Sequence, residues 1–513
     1  MAHKFVGLSE DHKKIYLYEL TPKTGKLKKE RQVLWGDWLS IKDNYDFSDI
    51  GPGWLAINWS PNTPKAKTLF IKEADTTDTR PLEIVFVDVG QGDGAVLITP
   101  ERNEEERIMV IDAGEGENMK TFLEGRFAHR GFQFEAAIIT HPDMDHYYGF
   151  KSIFENNTIG FNTIYQNGLV ERPVKGTFDK VGGYKEDAKT KKKYIENLAI
   201  NKTDIETHFS DNSNFGRYVF PKVMHAALNN PKIKDFKMLS TDSSQSTHEN
   251  DRIYMPDFAP SDGKNYSIEV LGPVTDKDEN DNVRLEKISD YGKTKNGHSI
   301  ILRLHYGKFK VLFGGDLNKP AEKFLLKHYT KRKSFPRYGT EASKTMIEEA
   351  KHWFNAEVMK VCHHGAADVT NEFMSAVNPA CFVISSGDQE GHVHPRPDLL
   401  GRLGKYGRGD SPVLLSTELQ RSTREHEDKN VISTLKKNIA KMVKKPSDKL
   451  NALIEEGINH LAKTNVDVYG AIYLKTDGDR LITAFKIEEK SKLKKWFYFE
   501  YKIDNSGELT LIS

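Results

Sequence analysis

The stretch Thr140-His141-Pro142-Asp143-Met144-Asp145-His146 follows directly on the apolar run Ala136-Ala137-Ile138-Ile139. A short apolar run of this kind reads as a buried strand, so the polar cluster falls where strand gives way to loop. Four side chains able to bind metal, His141, Asp143, Asp145 and His146, lie within six residues. On a tight turn this spacing turns one pair toward one cation and the other pair toward a second. Imidazole and carboxylate together suit zinc, manganese or iron better than calcium.

The same handover recurs on either side. Upstream, Ile84-Val85-Phe86-Val87 runs into Asp88-Val89-Gly90-Gln91-Gly92-Asp93-Gly94 before the return strand Ala95-Val96-Leu97-Ile98, and Ile108-Met109-Val110-Ile111 ends in Asp112-Ala113-Gly114. Downstream, Phe309 to Phe313 ends in Gly314-Gly315-Asp316, and Val358 to Cys362 in His363-His364-Gly365. Cys381 to Ser386 leads to Gly391-His392-Val393-His394-Pro395. A strand fixes the backbone while the loop after it frees side chains to coordinate, which is why chemistry gathers at strand ends. The glycines of the 88–94 turn admit positive φ and close backbone approach; the turn either cradles a phosphate or simply reverses the chain. Helices are expected over 118–129 and 345–354.

With 513 residues the chain has room for two or three domains. Hydrophobic residues make up 37% and charged residues 29%, and the net charge of +1 exerts no global pull on nucleic acid or membrane, so any polyanion contact must come from local patches. Cys362 and Cys381 cannot make a disulfide framework and read as buried thiols of a reducing compartment. No signal-peptide pattern opens the sequence, and no run approaches the roughly 20 apolar residues of a membrane span. The expectation is a cytoplasmic protein with no membrane partner. Residues 1–80 carry short β-like pieces separated by turn signals, expected to form a small β-rich, SH3-like module plus linker. The main domain is expected over 81–416, with 151–295 as an insertion, and is completed by a hairpin within 468–487. The segment 418–466 reads as a Lys-rich helical insertion and 488–513 as C-terminal strands. The N-terminal module and the insertions are where a protein partner would dock. Basic runs at Lys189-Thr190-Lys191-Lys192-Lys193 and around Lys492 to Phe499 read either as solvated surface or as nucleic-acid contacts.

Taken together, the HxDxDH cluster, Gly-Gly-Asp at Asp316 and the later strand-end histidines resemble the metallo-β-lactamase superfamily, closest to the hydrolase domain of the competence protein ComEC. Asp88 to Asp93 looks like that group's opening signature. Asn296-Gly297-His298-Ser299, His363-His364-Gly365 and His394-Pro395-Arg396-Pro397 resemble its later motifs in the same order, over roughly residues 82–416. Asp143 stands where the superfamily's common form has a second histidine, as it does in the ComEC branch, and the competence protein's transmembrane channel has no counterpart. The resemblance implies an α/β fold, the αβ/βα four-layer sandwich, with two divalent ions, Zn2+ or Mn2+. His141 and Asp143 would bind one ion, with His298 near a further ligand position. Asp145, His146 and His363 would bind the other, and Asp316 would bridge both. Asp145 would also orient water as a catalytic group, and His394 would contact the phosphate or protonate the leaving oxygen. Asp88, Gln91, Asp93, Ser299 and His364 would lie on the substrate side. The implied activity is metal-dependent cleavage of phosphodiester bonds in DNA, as a nuclease. Hydrolysis of cyclic or other small nucleotides, a lactonase-like activity, or a non-catalytic metal-binding scaffold are the other readings. A standalone architecture with added modules suits a bacterial defence effector.

Overall fold

In the computed structural model, Leu82–Phe86 is a strand buried along its whole length. Leu82, Ile84 and Phe86 enter one apolar core while Val85 and Val87 enter another. Successive side chains of a strand point to opposite faces, so a strand covered on both sides needs apolar residues at nearly every position. That requirement explains the continuous apolar runs, and it sets the architecture. The chain is a mixed α/β protein.

The larger sheet has ten strands. Their order is Ile233–Met238, Gly160–Gln166, Gln133–Ile138, Ile108–Ala113, Gly94–Ile98, Leu82–Phe86, Ile472–Thr476, Arg480–Lys486, Trp496–Ile503 and Leu509–Leu511. Ile108–Ala113 through Ile233–Met238 pair in parallel, the remainder antiparallel. A second sheet of eight strands runs Thr247–Glu249, Arg252–Tyr254, Tyr266–Gly272, Ile301–Tyr306, Phe309–Phe313, Val358–Lys360, Cys381–Ile384 and Val413–Ser416. Its last four strands are parallel. The two sheets face each other across a shared core in which the rings of Phe86 and Phe313 lie 6.0 Å apart. Helices Asn118–Phe127, Phe150–Phe154, Lys202–Phe209 and Phe220–Asn229 cover the outer face of the first sheet. Lys319–Tyr329, Glu341–Phe354, Asn371–Val377 and Pro397–Tyr406 cover that of the second.

The structure describes all residues except 1–2, 10, 12, 60–65, 103–104, 128–131, 243, 245, 388–393, 418–428, 456–469, 488–490 and 513. Much of the Lys-rich segment, and His392, therefore lie outside the described residues; within that segment Lys429–Lys444 is a helix. Near the N-terminus a four-stranded sheet, ordered Lys26–Val33, Ile15–Thr21, Lys67–Lys72, Trp54–Trp59, packs its own small core of Leu17, Val33, Ile57, Leu69 and Ile71. It is stitched to the large sheet by Gln32. The Gln32 side-chain oxygen accepts from the Lys495 and Trp496 amides at 2.8 and 2.9 Å, and its nitrogen donates to the Trp496 carbonyl at 3.1 Å. Among the described residues no helix is long and apolar enough to cross a membrane.

Residues 151–295, expected as an insertion, contribute strands to both large sheets. Gly160–Gln166 and Ile233–Met238 form one flank of the large sheet, and Tyr266–Gly272 lies inside the second. Tyr266–Gly272 is fully buried although Ser267 and Glu269 interrupt its apolar pattern. Glu269 is held there by the Arg303 guanidinium at 2.6 and 2.8 Å and by Arg252.

Candidate metal centre

The parallel strands of both sheets release their chains at one rim, and the loops that follow carry the polar cluster. Thr140 to Met144 leaves Gln133–Ile138 and turns into the short helix Met144–Tyr147. Asp112, at the end of its strand and at φ 54°, anchors this turn. Its carboxylate accepts from the Thr140 amide at 2.8 Å, from the Thr140 hydroxyl at 2.6 Å, and from His146 Nδ1 at 2.8 Å. A carboxylate on one ring nitrogen fixes the tautomer and presents the other nitrogen as a ligand. His146 Nε2 accordingly points inward. His141 Nδ1 sits 3.3 Å from Ser299 Oγ, and the same oxygen accepts from the Asp316 amide at 3.1 Å.

Asp316 is the centre of the arrangement and is 2% exposed. Its carboxylate lies 3.3 Å from His146 Nε2 and 3.3 Å from His364 Nε2. His363 Nε2 and His141 Nε2 follow at 3.9 and 4.0 Å. His364 Nε2 also approaches Asp145 at 3.1 Å, while His364 Nδ1 lies 3.0 Å from the Ser385 carbonyl and 3.1 Å from Asp93. Asp93, His146, Asp316 and His364 each offer one ligand atom, all within 4.8 Å of one another, and all four residues are buried.

The residues present fit a cation. Asp93 Oδ1, His141 Nε2, His146 Nε2, Asp316 Oδ1 and His364 Nε2 are buried, and among the described residues they find no hydrogen-bond partner of good geometry. Buried polar atoms are ordinarily satisfied, and five orphans converging from four segments are what a shared ion would answer. The charges agree. Burial works against the His146 and His364 imidazolium forms, but the surrounding carboxylates, Asp316 foremost, outweigh it and hold both rings well above the usual imidazole range. Burial also works against the Asp145 carboxylate, yet His146 and His364 bring it down to about 2. The same carboxylates that favour protons on these rings would favour a divalent ion in their place, with release of those protons.

The expected residues divide into those that converge and those that do not. His141, Asp143, Asp145, His146, Asp316, His363 and His364 share one rim, and His141 Nε2 lies 3.5 Å from Asp143. His364, assigned to the substrate side, is a buried member of the cluster. His363 is the more exposed neighbour at its mouth, its ring 6.2 Å from that of His394. Adjacent left-handed residues, with φ 50° and 51°, aim the two rings differently. Asp93, also assigned to substrate, joins the cluster instead. Ser299, also expected on the substrate side, is fully buried and contacts His141 and Asp316. Asp88 accepts from the Gly90 amide at 3.1 Å and shapes the turn, and the Gln91 carbonyl accepts from the Glu115 amide at 3.3 Å. His298 is turned elsewhere: its Nε2 donates to the Glu286 carbonyl at 2.8 Å, and burial pushes its ring down to about 4. It closes the helix Tyr291–Gly297, and Lys295 of that helix reaches Asp143 in its place.

Two lysines were not foreseen. Lys360, in the buried strand Val358–Lys360, contacts Asp93, donates to the Gly315 carbonyl at 3.1 Å and lies 3.9 Å from Asp316. Lys295 contacts Asp143 and lies 3.3 Å from Glu171. A lysine inside an otherwise buried run is the available signal, because such a charge requires a partner. No family model matches the chain, and the search of curated proteins returned no match.

Proposed function

We propose that this chain is a metal-dependent hydrolase with the metallo-β-lactamase αβ/βα sandwich, akin to the hydrolase domain of ComEC, and that it cleaves phosphodiester bonds in DNA. The observation that carries the reading is Asp316, within 4.0 Å of four imidazole nitrogens drawn from two distant segments. The order of sequence motifs and the two facing sheets support the family; the same motifs support the substrate class. Asp93, His146, Asp316 and His364 would hold one ion, with Asp145 alongside. His141 and Asp143, together with Asp316, would hold a second, Zn2+ or Mn2+ in either place. When bound, such ions supply Lewis-acid polarisation of the phosphoryl group and acidify water.

The chain's own residues do the rest. Asp112 and Ser299 fix the rings of His146 and His141 so that the ligand atoms need no reorganisation. Asp145, ionised at neutral pH, orients the attacking water and accepts its hydrogen bond. His363 and His394 stand at the mouth, where an imidazole can hold the non-bridging oxygen or deliver a proton to the leaving oxygen. The test is a screen of the pure protein with manganese, zinc and magnesium against single-stranded DNA, duplex DNA, RNA and cyclic nucleotides. Metal-dependent cleavage of DNA is expected, falling more than about a hundredfold in Asp145→Ala and Asp316→Ala while the circular-dichroism spectrum stays native. Full activity in either variant would remove the assigned centre. Cleavage of cyclic nucleotides alone would replace the substrate.

A further inference from the structure

A cleft of about 580 Å3 separates the N-terminal sheet from the strands Arg480–Lys486 and Trp496–Ile503 and the helix Asn118–Phe127, a volume in the range of small-molecule sites. Some of its charges are answered locally. Arg126 lies 3.0 Å from Glu83, and Lys475 donates to the Trp35 carbonyl at 2.7 Å and lies 3.7 Å from Asp37. Arg31, Lys486 and Lys495 bring three further cations to its walls. Among the described residues neither Arg31 nor Lys495 forms an ion pair with a carboxylate. The Arg31 guanidinium lies instead over the Trp59 indole at 4.3 Å. Burial holds Lys495 below the usual lysine range; Asp37 works against this, and the charges of Arg31 and Lys486 add to it.

The remaining wall is aromatic. Trp38 stands at the rim, 57% exposed, one face braced by the His3 ring at 6.1 Å. Trp496 lines the interior, and its Nε1 is buried with no acceptor among the described residues. A ligand matching these walls needs negative charge for the clustered cations and a flat π system for the exposed indole of Trp38. Phosphate alone satisfies only the first, and an apolar ring only the second.

We propose that this cleft is a second binding site, separate from the metal centre, for a nucleoside phosphate whose phosphates meet Arg31, Lys486 and Lys495 and whose base stacks on Trp38. Cation clusters bind phosphate strongly, and indoles stack on any base. The site is formed jointly by the N-terminal sheet and the large sheet, so its occupant would clamp the two together.

The test is calorimetric titration of the full-length protein with ATP in EDTA, which keeps metal out of the other centre. One saturable site is expected. Affinity should fall by about tenfold or more in Lys495→Glu and in Trp38→Ala, both retaining the wild-type melting temperature, since each removes a charged or stacking contact. Asp316→Ala should bind ATP like wild type. Absence of saturable binding at millimolar ATP, or undiminished affinity in both variants, would overturn the assignment. Tripolyphosphate binding as tightly as ATP would also overturn it, because the Trp38 indole would then contribute nothing.

Discussion

Lys360 and Glu322 are both closed inside apolar layers, and they meet burial in opposite ways. Burial works against the Lys360 ammonium, but Asp93 and Asp316 keep it charged. Burial outweighs the hydrogen bond Glu322 accepts from the Thr370 amide and the attraction of Arg402, and pushes its carboxyl up to about 8. The unfolded carboxyl ionises near 4.5. Between those two values the native state keeps a proton that the unfolded chain releases, so stability falls as pH rises through that window and levels off above it. Glu322→Gln should therefore match wild type near pH 4 and exceed it above pH 8, by up to about 4 kcal/mol in urea unfolding. Parallel pH profiles for the two proteins would refute this. At this scale the sequence discloses donors better than partners. The HxDxDH tetrad and Asp316 are legible because several ligand types crowd a strand end. Whether His363 or His364 turns inward is decided by two backbone angles that residue identity does not encode. Lys360 reads as a blemish in an apolar run until Asp93, far away in sequence, is placed against it.

The elements that bear the centre are held by close backbone approach. Gly92, at φ 103°, lies so near the HxDxDH loop that a Cβ there would sit 1.7 Å from the Asp145 carbonyl oxygen. The Asp93 amide donates to the same oxygen at 3.2 Å, and Ser385 Oγ donates to the Gly92 carbonyl at 3.0 Å. Three loops thus stack at one point, and Asp93 owes its place to that stack. Gly92→Ala should push the Asp145 loop away and lower metal retained after dialysis at least tenfold, as read by elemental analysis, roughly the loss seen when a supporting partner is removed. Retention equal to wild type would show that the stack does not position the ligands. Strands such as Gly94–Ile98 and Cys381–Ile384 were readable because burial on both faces leaves an unbroken apolar run. Tyr266–Gly272 was not, because Glu269 interrupts it and its counterion Arg303 comes 34 residues later.

For the molecule as a whole, the centre joins both sheets: Asp93, Asp112 and His146 come from one and Asp316, Lys360 and His364 from the other. An ion held there stabilises the native state without touching the unfolded chain, by about 2.7 kcal/mol at a hundredfold excess over Kd. Manganese or zinc should raise the melting temperature of wild type by a few degrees and leave that of Asp316→Ala unchanged, in scanning calorimetry. Equal shifts in both proteins would place the ion elsewhere. The topology has a consequence of another kind. Leu82–Phe86 is flanked on one side by Gly94–Ile98 and on the other by Ile472–Thr476, with Phe86 opposite Ile472. The second neighbour emerges from the ribosome about 375 residues after the first partner has formed. At roughly 5–20 residues per second that delay is about 20–80 s. Throughout it the nascent chain displays an apolar strand with one unpaired edge, a ready template for its siblings on the same polysome. Chaperone supply during synthesis, more than the final stability of the native state, should govern how much of this protein a cell can accumulate.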